Sequence, residues 1–382
     1  MIAHNPRSLD NRDIWQQAAG ALDNGVIAGE EYHRIREAYP FELYAPNVFI
    51  RIGLFLLTAL AVACGVGLSE LIAGWNNGLL ILWSLICYCS LELFIRRKRI
   101  YRAGIDDALL WMATLLLFYG VILLIPRVPD NLSSGLILLL ATWGMLRYAD
   151  RVMALVAYCA LMKLIFHFLV MHGPFGSAVI PIVFMAVSIV AYLLFTRLPA
   201  RESLRHYRTC LLLLTVAALL SFYLSVNYYV VQHIDPSMRV RDESAPVALG
   251  WLWWAFTGIV PVAYIGQGIR RKDAILLWTG LVLTACTVFT IRYYYHVLPA
   301  EVAMIIAGCI LVIGAYAFTR YLRIPRNGFT SDAPDEPHLL QKLPVESLIM
   351  AETFKSVPSQ PSDQSGRFGG GSGGGAGAGG TY

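Results

Sequence analysis

A chain of 382 residues could bury a large core, yet 57% of its residues are hydrophobic and only 14% charged, against about 25% charged in an ordinary soluble domain. The few charges stand in short runs between long apolar stretches, which excludes a water-soluble globule and fits the pattern a bilayer imposes. The net charge of +5 lies in those flanking runs and forms no basic stripe, so the lipid bilayer is an expected partner and nucleic acid is not.

Residues 1–46 form the first region and carry no cleavable signal peptide pattern, so the first span is expected to act as its own membrane signal. Ile14, Trp15, Ala18, Ala19 and Leu22 recur at helical spacing, and Asn24-Gly25 is a stop signal. Glu30 and Glu31 open a second helix, Tyr32, Ile35 and Tyr39 share one face, and Pro40 ends it. Such a hairpin is too small to hold itself together. It is expected to lie in the cytoplasm and dock on the membrane domain, on a second copy or on a protein partner.

Residues 47–322 read as a transmembrane bundle. About 20 apolar residues at 1.5 Å rise cross a bilayer, and that ruler gives ten spans: 49–71, 78–95, 108–125, 132–148, 152–171, 177–195, 210–230, 246–266, 274–291 and 300–319. Only Ala149-Asp150-Arg151 separates the fourth from the fifth, which predicts a tight hairpin. The loops alternate in basic content. One set holds Arg96, Arg97, Lys98, Arg99 and Arg102, then Arg147 and Arg151, then Arg197, Arg201, Arg205 and Arg208, then Arg270, Arg271 and Lys272. The other holds only Arg127, Arg239, Arg241 and Arg292. By the positive-inside rule the first set and both termini are cytoplasmic, and a bacterial inner (plasma) membrane is expected. Trp251, Trp253, Trp254 and Tyr293, Tyr294, Tyr295 read as interfacial anchors. Pro181 and Pro261 fall inside the sixth and eighth spans, where proline can kink a helix.

Residues 323–382 form a cytoplasmic tail. Val345, Leu348, Ile349 and Phe354 could make one short surface helix, and the Gly-rich end from Phe368 to Tyr382 is expected to be disordered. The fold class is therefore all-α: a polytopic helix bundle of about ten spans with an N-terminal hairpin and a largely disordered tail.

Ala21-Leu22-Asp23-Asn24-Gly25-Val26-Ile27, then Glu30-Glu31-Tyr32 and Ile35, then Tyr44-Ala45-Pro46-Asn47 before Arg51-Ile52-Gly53 resembles the start of uncharacterised bacterial membrane proteins of the domain of unknown function 2157 type. Ala28 departs from the family pattern, which often has Ser or Thr there. The resemblance covers about fifty residues and implies location and architecture without an activity.

No hydrolase elbow, zinc-protease helix, Walker loop or dinucleotide fingerprint is present, and an enzyme is not expected. No catalytic, cofactor-binding or metal-binding residue is assigned. The histidines are scattered without ligand spacing. The seven cysteines all fall in or beside apolar spans and read as small apolar residues. Glu70 and Glu301 lie near span ends, within reach of the interface.

The intramembrane polar candidates are Lys163 and His167, four apart on one face of the fifth span. A lone charge at mid-span costs about 2.5–3.5 kcal/mol on insertion scales, so that face is expected to point into the bundle or a wet cavity. Glu92 in the second span is the nearest acid by topology, and Tyr119 in the third is a further hydrogen-bonding candidate. Two readings follow. One is a non-enzymatic envelope protein acting through protein partners. The other is a transporter or channel for a small solute or ion along the polar face of the fifth span.

Overall fold

A computed structural model describes residues 3, 6–23, 25–40, 43–44, 46–74, 76–172, 179–200, 202–234 and 249–294, with isolated positions between 308 and 320. Two short helices come first, α1 (Pro6–Asp23) and α2 (Gly29–Ala38). Then follow α3 (Val48–Ala73), α4 (Asn77–Lys98), α5 (Ile105–Leu124), α6 (Asp130–Tyr148), α7 (Arg151–His172) and α8 (Val179–Arg197). The last four are α9 (Arg208–Val226), a short α10 (Tyr228–Ile234), α11 (Gly250–Arg271) and α12 (Ala274–Tyr294). The expected tenth span at 300–319 and the tail from 323 lie outside the described residues, apart from those isolated positions.

Eight of the described helices, all of the long ones from α3 to α12 except α6, are long and apolar enough to cross a membrane. Their exposed surface is greasy: Leu56, Leu57, Leu60 and Leu68 on α3 are each about 60% exposed. A water-soluble monomer does not carry apolar surface of that extent. Helix α6 falls short in apolarity because its first turns hold Asp130, Asn131, Ser133 and Ser134. Connectivity still makes it run back along the bundle. The Asn77 amide at the start of α4 donates to the Leu123 carbonyl near the end of α5, 2.8 Å away. The Trp111 indole near the start of α5 donates to Asp150 at the start of α7, 3.4 Å away. The chain must therefore return between 124 and 151, and the 19 residues of α6 rise about 28 Å.

Neighbouring helices pair as antiparallel hairpins, α4 with α5, α6 with α7, α8 with α9 and α11 with α12. The α6–α7 turn is as tight as the sequence predicts: Ala149 caps α6 in the left-handed region, and Asp150 accepts from the Met153 N–H at 2.7 Å to cap α7. Two spans end furthest from the expected positions. The seventh stops at Val226, because the Asn227 side chain accepts from the Tyr229 N–H at 3.0 Å and restarts the chain as α10. The eighth runs on through Arg270 and Arg271 before Lys272 caps it.

The two prolines behave differently. Pro181 stands in the first turn of α8, where the missing N–H is not needed. Pro261 is interior to α11 and frees the carbonyl of Thr257, which the Thr287 hydroxyl of α12 satisfies at 3.0 Å. The partner helix can come that close because α12 has Gly280 there; a Cβ on it would stand 2.8 Å from Ile265.

The N-terminal hairpin holds together through Trp15 and Asn11 of α1, which donate to the carbonyls of Tyr39 and Pro40 at 2.7 and 2.8 Å. Arg36 lies over the Trp15 ring at 4.5 Å. Helix α2 opens with half a capping box: Ala28 offers no side-chain oxygen, but Glu31 reaches back to accept from the Ala28 N–H at 3.0 Å. Docking falls to α1 and the residues before it. The Ala3 N–H donates to the Arg147 carbonyl at 2.8 Å, Asp10 pairs with Arg205 at 2.7 Å, and Leu9 and Ala18 are buried.

Candidate functional site

The end of the bundle that carries the hairpin gathers most of its charged side chains. Its scaffold is the turn from α4 to α5. Asp106 accepts from the N–H groups of Arg102, Ala103 and Gly104 at 2.7, 2.9 and 3.0 Å. Gly104 has φ +90, and a Cβ there would lie 2.1 Å from the Arg51 carbonyl oxygen. The turn can thus press against the start of α3 only with glycine at that position. Beside it, Arg51 grips Asp107 through two nitrogens at 2.5 and 3.1 Å. Tyr44 ties the linker to the same turn, donating its N–H to Arg99 and accepting from Tyr101, both at 3.0 Å.

One layer away, Glu92 near the end of α4 gathers donors from α4 itself and from α6. Arg147 donates to it at 3.0, 3.2 and 3.3 Å, the Tyr148 hydroxyl at 2.8 Å and the Tyr88 hydroxyl at 3.3 Å. Arg96, one helical turn on, stands 3.5 Å away. The Glu92 side chain is 14% exposed and that of Arg147 29%. A pair this well hydrogen-bonded offsets its own desolvation, whereas removal of one partner leaves a poorly solvated charge.

Two neighbouring hollows open at this end. The first, about 370 Å³, has an apolar floor that includes Phe55, Leu91 and Leu110 and a rim of Arg51, Asp107 and Asp150. The second, about 450 Å³, lies between α1 and the bundle and is walled by Arg12, Arg102, Arg151, Arg205 and Arg208, with Asp13 as the one carboxylate in the wall. Tyr101, Arg102 and Arg151 belong to both. Two guanidinium charges about 8 Å apart at an effective dielectric near 20 repel by about 2 kcal/mol, less once water and salt screen them. Burial raises the Asp150 carboxyl above the ordinary carboxylate value; the Met153 N–H pulls it down, and the neighbouring Asp107 pushes it up again.

The sequence-derived candidates do not meet in one site. Glu92 is held by Arg147 and the two tyrosines. Lys163 stands exposed on α7, on a stripe with Leu155 and Cys159, and makes no hydrogen bond or ion pair among the described residues. His167 is half-buried one turn further on. Tyr119 is 54% exposed on α5 with its ring edge-on to Phe118 at 5.4 Å. The expectation that Lys163 points into the bundle therefore has no counterpart among the described residues. Among the cysteines, Cys87 and Cys210 are buried, while Cys64, Cys89, Cys159, Cys286 and Cys309 lie on exposed faces. Both placements suit a small apolar residue, because lipid is as apolar as the bundle interior.

Sequence reasoning missed the arginine-walled hollow. Its residues were in view as topology markers, since Arg102, Arg151, Arg205 and Arg208 all come from the basic loop set. Nothing in the linear pattern shows that three loops and α1 converge. What the hollow offers chemically is recognition of anions, through guanidinium forks and through the side chains of Gln16, Gln17 and Thr209 in the same wall. Among the described residues no group of three or more His, Cys, Asp or Glu is placed to hold a metal ion. No family model matches the chain, and neither the curated proteins nor the solved structures include a significant match.

Proposed function

We propose that this integral membrane protein is non-enzymatic, and that it works in a bacterial inner membrane by engaging protein partners through its N-terminal hairpin. The observation that carries the reading is the division of labour between α1 and α2. Helix α1 is fastened to the bundle, whereas α2 has no buried residue and turns Glu30, Arg34 and Glu37 outward. A helix held in place by its neighbour while its outer face stays solvated and charged is suited to reversible protein contacts. The hairpin end also carries the basic loop set, which under the positive-inside rule supports a cytoplasmic hairpin and a cytoplasmic N-terminus. The resemblance to proteins of the domain of unknown function 2157 type forms part of this proposal and adds no chemistry. The transport reading gains no support from Lys163, which lines none of the hollows at the hairpin end.

A photo-crosslinking residue in place of Arg34 or Glu37 should capture a defined protein in intact cells, and one in place of Leu60 on α3 should not. Deletion of residues 1–46 should abolish the same association. Association unchanged by that deletion contradicts the proposal.

A further inference from the structure

We propose that the arginine-walled hollow between α1 and the bundle binds a phosphate-bearing anion. This goes beyond the partner reading and does not depend on it. The wall contains five arginines and no lysine, and the planar guanidinium fork matches phosphate oxygens two at a time. Two of these arginines are already held in place. Arg12 and Arg102 stand 4.9 and 5.3 Å from the centre of the Tyr101 ring, so one aromatic plate orients both guanidiniums. Their carboxylate supply is thin. Asp10 is taken by Arg205, and neither Arg151 nor Arg208 makes an ion pair among the described residues. Charges of one sign drawn together with few counter-charges favour an anion between them. The volume of about 450 Å³ falls in the usual small-molecule range of roughly 300–1,000 Å³.

The hollow joins helices that start at the polar edge of the membrane, so the phosphate has two possible sources: the headgroup of an anionic lipid or a soluble phosphate ester. In either case the anion bridges Arg12 on α1 to Arg102, Arg151 and Arg208 on the bundle. Its binding therefore tightens the grip on the hairpin.

The test uses the full-length protein. Pyrophosphate is titrated calorimetrically into protein in lipid-free detergent. In parallel, protein in nanodiscs of phosphatidylcholine with phosphatidic acid is released into native mass spectrometry. Arg151→Gln with Arg208→Gln removes two exposed wall charges. Arg97→Gln with Arg197→Gln removes the same charge from exposed positions outside the wall. Saturable pyrophosphate binding, weakened at least about tenfold by the wall pair and less than about twofold by the control pair, assigns a soluble phosphate. Retention of phosphatidic acid by wild type and control pair but not by the wall pair, without pyrophosphate binding, assigns a headgroup. In either case hydrogen exchange across residues 9–17 slows when the anion is bound. Arg12→Lys, which keeps the charge and loses the fork, weakens binding by an intermediate factor and serves if the double variant does not fold. No saturable binding of either probe, or equal loss in wall and control pairs, overturns the proposal.

Discussion

At the hairpin end, polar groups meet as full charges: Glu92 with Arg147 and Asp107 with Arg51. At the far end the same task falls to neutral groups. The Asn227 amide donates to Tyr223 at 2.9 Å and to Thr290 at 3.1 Å, Tyr223 meets Thr287 at 2.8 Å, and the Tyr228 N–H donates to Thr257 at 3.0 Å. Around that network Tyr228 stacks on Trp254 at 4.8 Å, and Tyr294 stands edge-on to both. The contrast separates two ways of satisfying polar atoms beside lipid. Neutral donors and acceptors close on one another and leave an aromatic collar. Charges need water or a counter-ion, and so they bring hollows with them. A ligand site is expected where the second arrangement is used, and packing stability where the first is used.

Glycine substitutions should break this comparison most sharply. Gly104→Ala at the hairpin end forces a side chain onto a positive φ and into the Arg51 carbonyl, and should cost about 3 kcal/mol or abolish folding. Gly250→Ala at the far end would place its Cβ 3.5 Å from Tyr228, an ordinary contact, and should be nearly silent. Thermal unfolding in detergent, with folded yield from size-exclusion chromatography, measures both. A tolerated Gly104→Ala would mean that the α4–α5 turn does not press on α3.

Next comes Glu92→Ala, which strands Arg147 and should cost about 2–3 kcal/mol, with a double-mutant cycle against Arg147→Ala giving a coupling of about 1–2 kcal/mol. Asn227→Ala should cost less, about 1–2 kcal/mol, because the groups it leaves unpaired are neutral. A larger loss for Asn227→Ala than for Glu92→Ala would reverse the proposed ranking of charged and neutral contacts.

The smallest effect concerns Asp150. Asp150→Ala removes the α7 cap and should cost about 1 kcal/mol, while Asp150→Asn keeps a capping oxygen. Because burial raises the carboxyl in the folded protein, the folded state holds that proton to higher pH than the unfolded chain does. Its contribution is complete below the unfolded value near 3.9 and is lost as pH rises through the raised folded value. Melting temperature against pH should thus fall across that window in wild type relative to Asp150→Asn. Parallel curves would remove the burial argument.

The long helices were legible because about 20 apolar residues bounded by basic turns leave few alternatives, and the α6–α7 hairpin followed from three intervening residues. The partner of Glu92 was not legible. The chain offers many arginines, and the choice of Arg147 depends on α4 and α6 ending at one level, which pairwise packing decides. The facing of Lys163 was hidden for a different reason: apart from Lys163 and His167 the span is apolar on every side, so its sequence carries no broad polar face to say which side meets lipid. The stop at Val226 was hidden because Asn227 acts through a local cap that hydropathy does not register.

We propose that these helices cross a bilayer in alternation, α6 included, with the hairpin end on the cytoplasmic side. Small compartment reporters inserted singly into the full chain after residues 100, 128 and 150 test it directly. The first and third should report the cytoplasm and the second the opposite face. A reporter after residue 128 on the same side as the other two would contradict the account.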